Sequence, residues 1–186
     1  RGPGRGLGVT ATGAGAAGGL DGRAVVVTRA EGPEGPVSTR LRARGAVPVL
    51  RPAVSFSFAS HTSELAKAIW ELESYDWLML TSSRAVRALA AIRAFASPRP
   101  EGLRVAVVGP GTAAELGTHG WEADVVPESG GAAVMATDVV PLLREGARVL
   151  FPASAAAGGD LVDALTSAGA EVNRVDAYAP APSPQP

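Results

Sequence analysis

The sequence predicts an α/β fold built around a parallel sheet. Three times, a basic residue is followed by a short β-branched strand, a turn, a helical stretch that ends near a glycine, and a second strand. The copies are RAVVVTRA leading to LRARGAVPVLRP, RVAVVGPGTAAELGTHG leading to WEADVVPE, and RVLFPASAAAGGDLVDALTSAGA leading to EVNRVDAY. Short buried strands that alternate with helices are typical of parallel β-α-β units, whose sheets need helices on both faces.

The larger part of the chain is expected to form a complete flavodoxin-like parallel domain over residues 62–177. Its five strands are predicted near Trp77 to Thr81, Arg104 to Gly109, Glu122 to Val126, Arg148 to Phe151 and Glu171 to Asp176. The stretch TSSRAVRALAAIRAF after the first strand has helical apolar spacing, and its serines are suitable N-caps. The tryptophans are interpreted as core or half-buried packing residues, namely Trp70, Trp77 and Trp121.

The rest of the chain supplies a smaller unit and connecting segments. Residues 22–51 contain two strands and one helix, which is too little to bury both faces of a sheet. Residues 52–61 alternate in SFSF and are expected to be an extended connector. The Gly/Ala-rich residues 1–21 predict a flexible lead-in, and residues 178–186 predict a proline-rich connector or tail.

Composition argues against several classes of function. The net charge of −1 gives no broad cationic surface for nucleic acid, and the apolar runs are much shorter than a membrane span requires. The absence of cysteine removes thiolate chemistry and fits a reducing compartment, so we expect a cytoplasmic protein without nucleic-acid or membrane partners. The histidines and carboxylates lack the spacing of metal ligands or of a catalytic triad, and no metal site is predicted.

Polar and glycine-rich turns follow the first two strands of the larger domain. They are LTSSRAV and GPGTAA, with the candidate residues Thr81, Ser82, Ser83, Gly109, Gly111 and Thr112. Free N–H groups at the helix N-termini would face the carboxyl edge of the sheet, where they could bind an anionic ligand. The serines could equally be simple helix caps. The glycine turn could be an ordinary connection between strand and helix without a ligand, or a dinucleotide site with Glu128 as the ribose-binding acid.

Two further side chains are candidates for a role in ligand binding. Arg29 follows the first strand in VVVTRA and would point towards the same cleft, although a solvated arginine is an equal alternative. Tyr178 closes the last strand in RVDAYAP, where its phenol could donate a hydrogen bond or act as a weak general acid. The alternative for Tyr178 is an ordinary aromatic residue at a strand end.

Taken in order, VVVTRA, LRARGAVPVLRP, DWLMLTSSRAV, RVAVVGPGTAAEL, ADVVPE, RVLFPAS and AGAEVNRVDAY resemble the uroporphyrinogen-III synthase family over residues 22–179. That family folds as two similar α/β domains, one inserted into the other through a two-stranded connector. The resemblance implies that residues 62–177 are the inserted domain and residues 22–51 are the first part of the split domain. The return segment of the split domain would follow Tyr178, so the chain is expected to be truncated there.

The resemblance also implies an activity. Family members cyclise the linear tetrapyrrole hydroxymethylbilane with inversion of its last pyrrole and loss of water, and they do so as monomers without metal or organic cofactor. By motif match, Ser82 and Thr112 correspond to cleft positions and Tyr178 to the tyrosine proposed to assist loss of the hydroxyl, while Arg29 is a weaker match. The alternatives are a non-catalytic tetrapyrrole-binding or regulatory module of a larger fused protein, and a nucleotide-binding domain.

Overall fold

A computed structural model describes residues 19–60, 63–92 and 94–183. The expectations for residues 1–18, for His61 and for residues 184–186 lie outside the described part of the chain. Two compact units are formed, one by Arg1–Ser55 with Pro182–Pro186 and the other by Phe56–Ala181. The finer division of the chain into lead-in, connector and tail stays a prediction.

The first unit is a single parallel β-α-β element. Its strands pair in parallel with Ala24 opposite Val47, as expected for a strand-helix-strand crossover. Val27 is buried, whereas Val26 is 58% exposed and Val47 55% exposed, so one helix covers only part of this small sheet. The predicted two strands and one helix are β1 (Ala24–Val27), α1 (Pro36–Arg42) and β2 (Val47–Leu50).

The second unit alternates strands and helices around a five-stranded sheet. Short 3₁₀ turns occur at Leu72–Ser74, Ala94–Ala96 and Val140–Leu142. The longer elements are β3 (Val54–Phe58), α2 (Glu64–Trp70), β4 (Trp77–Leu80), α3 (Ser83–Ala91), β5 (Arg104–Val107), α4 (Pro110–Gly117), α5 (Ala132–Val139), β6 (Arg148–Ser154), α6 (Asp160–Ser167) and β7 (Glu171–Pro182).

The sheet has the strand order β3-β7-β6-β4-β5, with parallel pairing from β7 to β5. The strand expected over Glu122 to Val126 is wrong in extent, because it is reduced to one isolated parallel bridge between Ala106 and Val125. The carboxylate of Asp124 accepts a hydrogen bond from the N–H of Val105 at 2.7 Å. This N–H would donate to a backbone carbonyl if the expected strand were longer. The fifth strand is instead β3, the segment with the SFSF alternation.

The core of the second unit lies on both faces of the sheet, which confirms the α/β class. Leu78 and Leu80 pack on one face with α2, α3 and α4. Trp77 and Met79 point the other way, towards α5 and α6. This alternation of side chains along β4 is the period-two pattern that makes a central strand buried on both sides.

The connections of the sheet define where a ligand site is expected. From β4 the chain passes to β5 on one side, and it later returns to β6 on the other side of β4. In open α/β sheets, such a reversal leaves a crevice outside the carboxyl ends of the strands on its two sides. The turns after β4 and β6 flank that crevice, and Tyr178 in β7 is paired with Ser154, the last residue of β6.

Candidate functional site

The hydroxyl groups of Ser82 and Tyr178 meet at the carboxyl edge of the sheet. Ser82 Oγ lies 3.0 Å from Tyr178 Oη, a hydrogen bond in which either atom could donate. Both side chains are half-buried. The two residues are therefore brought together within the second unit, a contact that the sequence did not predict. Tyr178 also does not close the last strand as expected, because β7 continues to Pro182.

Ser82 is held in place because it begins α3. Its backbone is extended, and its Oγ accepts the N–H of Ala85 at 3.1 Å, the usual geometry of a serine N-cap. The next two amides, of Ser83 and Arg84, have no intrahelical acceptor because they belong to the first turn of the helix. Thr81 and Ser83 flank Ser82 and are also half-buried.

Tyr178 faces α3 because of an irregularity in β7. Ala153 is paired with Asp176 but Ser154 is paired with Tyr178, so Ala177 is an extra residue in the ladder. Val175 and Ala177 point to the α3 side, and regular alternation would turn Tyr178 to the other side. The bulge instead lets Tyr178 pack against the same cluster, which is the re-aiming effect that β-bulges have near functional sites.

The glycine turn adjoins the same edge. Leu80 is in register with Val107, and the N–H of Val108 donates to the carbonyl of Leu80 at 3.0 Å. The turn opens α4 as predicted, with Gly109 as N-cap, an exposed Gly111 and a buried Thr112. The N–H groups of Thr112 and Ala113 both donate to the carbonyl of Gly109, and Pro110 has no N–H. In this turn the N–H of Gly111 is the one left without an intrahelical acceptor.

An ion pair fixes α3 against α4 beneath these turns. The guanidinium of Arg87 donates to both carboxylate oxygens of Glu115, from Nε at 3.0 Å and from a terminal nitrogen at 2.9 Å. The hydrogen bonds from Arg87 lower the pKa of Glu115, although partial burial opposes them, and the charges of Arg87 and His119 add to the lowering. The bidentate contact joins the middle of α3 to the last turn of α4.

Phe56, which has no predicted role, packs beside Tyr178, and Arg84 in turn packs over Phe56. The ring of Phe56 in β3 lies 5.9 Å from the Tyr178 ring between centroids, and the guanidinium of Arg84 lies 4.0 Å from the centroid of Phe56. The SFSF alternation was the signal that placed Phe56 in an extended segment. Its pairing with β7 depends on a partner far along the chain, which local patterns do not identify.

Arg29 belongs to the first unit, where it contacts an acidic side chain. Its Nε lies 3.2 Å from Glu31 Oε2, and its side chain is 55% exposed. Burial raises the pKa of Glu31, but hydrogen bonds from the backbone and hydroxyl of Ser38, from the N–H of Val37 and the charge of Arg29 together lower it. Glu31 thus caps α1 from the preceding loop, and a role of Arg29 in ligand binding stays a prediction.

The second unit also has an apolar cavity of about 580 Å³ at the opposite edge of the sheet. Leu72, Pro100 and Trp121, which line it, precede β4, β5 and the Val125 bridge respectively. Trp70 also lines it and is 88% exposed, so its predicted burial was wrong; it is the last residue of α2. The cavity includes none of the predicted site residues, so we place the candidate site at the carboxyl edge instead.

The described residues 19–60, 63–92 and 94–183 contain no group of three His, Cys, Asp or Glu residues that could hold a metal ion. Among these same residues, no helix has both the length and the apolar character needed to cross a membrane. The candidate site itself presents hydroxyl groups, backbone N–H groups and a guanidinium.

These features define an α/β protein whose candidate site is built from hydroxyls and helix N-termini at the carboxyl edge of a parallel sheet. A family model described as "Uroporphyrinogen-III synthase HemD" matches residues 36–186. The chain belongs to the uroporphyrinogen-III synthase family.

Individual relatives agree with this assignment. The chain is 35% identical over 167 residues to a uroporphyrinogen-III synthase of Synechococcus elongatus, covering 86% of this chain and 61% of the relative. It is 34% identical over 120 residues to a putative uroporphyrinogen-III synthase of Methanothermobacter thermautotrophicus, covering 64% of this chain and 47% of the relative. The chain thus spans less than two thirds of the length of these relatives.

Solved structures support the fold. A mutant uroporphyrinogen III synthase of Thermus thermophilus matches with a TM-score of 0.60 at 19% identity, over 87% of this chain and 64% of that one. A uroporphyrinogen-III synthetase of Helicobacter pylori matches with a TM-score of 0.55 at 15% identity, over 89% and 64%. At this level of identity, the likeness is one of architecture.

Proposed function

We propose that this chain carries the cyclising activity of its family, which converts hydroxymethylbilane into uroporphyrinogen III with inversion of the last pyrrole and loss of water. The observation that supports this most directly is the 3.0 Å contact between Ser82 Oγ and Tyr178 Oη at the carboxyl edge of the sheet. Family membership supports the choice of reaction, and the hydroxyl pair supplies a proton donor for it.

In the proposed step, Tyr178 protonates the departing hydroxyl of the substrate. Ser82 Oγ already accepts the N–H of Ala85, so its own proton is available to donate to Tyr178. In that orientation the phenolic proton of Tyr178 remains free for the leaving group. The C–O bond breaks to release water, and the carbon left behind bonds to the substituted α-carbon of the last pyrrole to give a spiro intermediate. The bond from that α-carbon to its original methylene bridge then breaks, and the bridge bonds to the free α-carbon of the same pyrrole. This carbon loses a proton to solvent, and Tyr178 regains one from solvent. No oxidant, metal or organic cofactor is required.

The remaining residues of the site are proposed to hold the substrate. The linear tetrapyrrole carries carboxylates, and the first-turn amides of Ser83, Arg84 and Gly111 are donors suited to such groups. Hydroxymethylbilane closes in water without inversion, so the protein must mainly impose a conformation on it. Thr81, Thr112, Gly109 and Arg29 are proposed as further binding residues, and the protein is proposed to act as a cytoplasmic monomer.

The test is to incubate the protein with enzymatically generated hydroxymethylbilane and to separate the porphyrin isomers after oxidation. We expect isomer III from the wild type, and a rate that falls by about 10²-fold or more in Tyr178→Phe if Tyr178 is a general acid. Tyr75→Phe is the matched control, since Tyr75 contacts Asn173 and the guanidinium of Arg148 instead of Ser82. Isomer I alone from the wild type would overturn the proposal.

A second candidate function is binding of the tetrapyrrole without turnover. It is favoured by the free first-turn amides of α3 and α4, which can bind carboxylates whether or not turnover follows. A protein of this kind would be stabilised against heat by the tetrapyrrole yet would yield only isomer I. The nucleotide-binding alternative has no comparable support, and a thermal shift with NAD(P) is not expected.

A further inference from the structure

A continuous series of contacts runs from Ser82 to Tyr178, then to Phe56, and finally to Arg84. Ser82 bonds to the hydroxyl of Tyr178, and the Tyr178 ring meets Phe56 with an angle of 69° between the ring planes. Arg84 lies over Phe56 at 4.0 Å and stands two residues after Ser82 at the start of α3. The series of contacts therefore begins and ends at the start of α3.

The guanidinium of Arg84, like that of Arg104, lies over an aromatic ring. Among residues 19–60, 63–92 and 94–183, no carboxylate forms an ion pair with it, whereas Arg87 in the same helix is paired with Glu115. A guanidinium over an aromatic face is attracted by the ring quadrupole, and the attraction grows as both groups lose water. Arg84 and Phe56 are both half-buried, so this contact holds Phe56 against α3.

The contacts to Tyr178 constrain different parts of its side chain. The hydrogen bond from Ser82 fixes the position of the phenolic oxygen but leaves the ring free to turn about the axis through that oxygen. The edge-to-face contact with Phe56 restricts the ring plane, since aromatic pairs favour particular relative orientations. A group that must transfer a proton along a defined direction needs both restrictions, because small misplacements reduce the rate of such a transfer.

We propose that Phe56 and Arg84 are positioning residues that hold the Tyr178 phenol in its orientation towards the crevice. The proposal rests on the function proposed above for Tyr178, and it assigns no contact with the substrate to either residue. Arg84 acts through Phe56, and Phe56 acts through Tyr178. The strand β3 thereby has a role in the site that its sequence position, in an extended connector, did not suggest.

The first test measures the environment of the Tyr178 ring by NMR and does not depend on enzymatic activity. Because the chain has two tyrosines, Tyr75 and Tyr178, ring ¹³C-labelled tyrosine gives two assignable sets of NMR signals. We expect Phe56→Leu and Arg84→Gln each to shift or broaden the Tyr178 signals and to leave those of Tyr75 in place. The matched control is Arg104→Gln, because Arg104 lies 4.3 Å over the Trp77 ring in the same kind of contact. Unchanged Tyr178 signals in both test variants would overturn the proposal.

The second test separates positioning from substrate binding. We expect kcat for isomer III to fall about ten-fold in Phe56→Leu and Arg84→Gln with little change in KM, since the groups lost do not contact the substrate. Phe56→Tyr and Arg84→Lys retain a ring and a cation, and should recover most of the rate. A rise in KM at unchanged kcat would overturn the proposal. If the wild type makes no isomer III, the proposed function fails, and the NMR result still decides the positioning role.

Discussion

Ser82 Oγ and Tyr178 Oη lie 3.0 Å apart although 96 positions separate the two residues in the chain. Ser82 reaches this point as the cap of α3, and Tyr178 reaches it through the bulge in β7. One local feature of a helix start and one irregularity of a strand therefore create the contact. Each feature can be altered separately, which makes the contribution of this pair measurable.

Replacing Ser82 with alanine is expected to affect both stability and activity. The loss of the cap should lower the free energy of unfolding by about 1 kcal/mol, the usual cost at an N-cap. Ser63→Ala is the matched control, because Ser63 caps α2 by accepting the N–H of Ala66 at 3.2 Å and has no contact with Tyr178. Urea unfolding and the isomer assay should show similar destabilisation in the two variants but a loss of isomer III only in Ser82→Ala. An equal loss of activity in both would attribute the effect to stability alone.

The sequence predicted the parts of this site that depend on local chemistry. Ser82 follows a buried apolar strand and precedes a helical apolar pattern, so its capping role could be inferred from its neighbours in the chain. Strand β4 and the opening of α4 at GPGTAA were predicted for the same reason. The α/β class followed from the alternation of short strands with helices.

The remaining features depend on residues far apart in sequence. The bulge at Ala177 arises from pairing between β6 and β7, and the position of Phe56 arises from the pairing of β3 with β7. The expected strand near Val125 failed to extend because the Asp124 side chain competes for the N–H of Val105. A period-two or period-3.6 pattern contains no information about such partners.

The Arg87–Glu115 pair should make a small contribution that depends on the shape of the guanidinium. Arg87→Lys keeps the charge but loses the two parallel hydrogen bonds, and we expect a loss of at most about 1 kcal/mol because Arg87 is 59% exposed. Lys67→Gln, which removes the exposed pair with Glu64, should cost less than Arg87→Lys. Urea unfolding at low and high salt measures both. A larger effect in Lys67→Gln would contradict the assigned role of Arg87.

Gly45 and Gly102 offer a test of how the first unit is packed. Both have a left-handed backbone, with φ of +82° and +83°, which costs a residue with a side chain about 1 kcal/mol. A methyl group at Gly102 meets open space, whereas one at Gly45 would overlap the carboxylate of Asp21 and lie 3.0 Å from its Cα. Hydrogen exchange should therefore show greater local opening around Gly45 in Gly45→Ala than around Gly102 in Gly102→Ala. Equal effects would indicate that Asp21 moves away at no cost.

Asp76 should make the stability of the second unit depend on pH. It precedes β4 and accepts the N–H of Arg148 at 2.8 Å and a guanidinium nitrogen of Arg144 at 2.7 Å. Partial burial raises the pKa of Asp76, but the hydrogen bonds from Arg148 and Arg144 and the charges of both arginines outweigh it, so the pKa is lowered. The stabilisation is therefore complete above the ordinary pKa of an aspartate and is lost as the pH falls through the lower folded-state pKa.

Asp76→Asn removes that pH-dependent stabilisation while keeping the size of the side chain. At neutral pH we expect the variant to be less stable by about 1 kcal/mol, and the difference from wild type should shrink on acidification. Urea unfolding of both proteins from neutral pH to about pH 3 measures this difference in stability. Because the two proteins share all other carboxylates, the titration of those groups cancels in the difference. Arg144→Gln should remove only part of the stabilisation that Asp76 provides, because the N–H of Arg148 still donates to the carboxylate. A constant difference between Asp76→Asn and wild type across this range would show that the ionised Asp76 is not what joins the amino ends of β4 and β6.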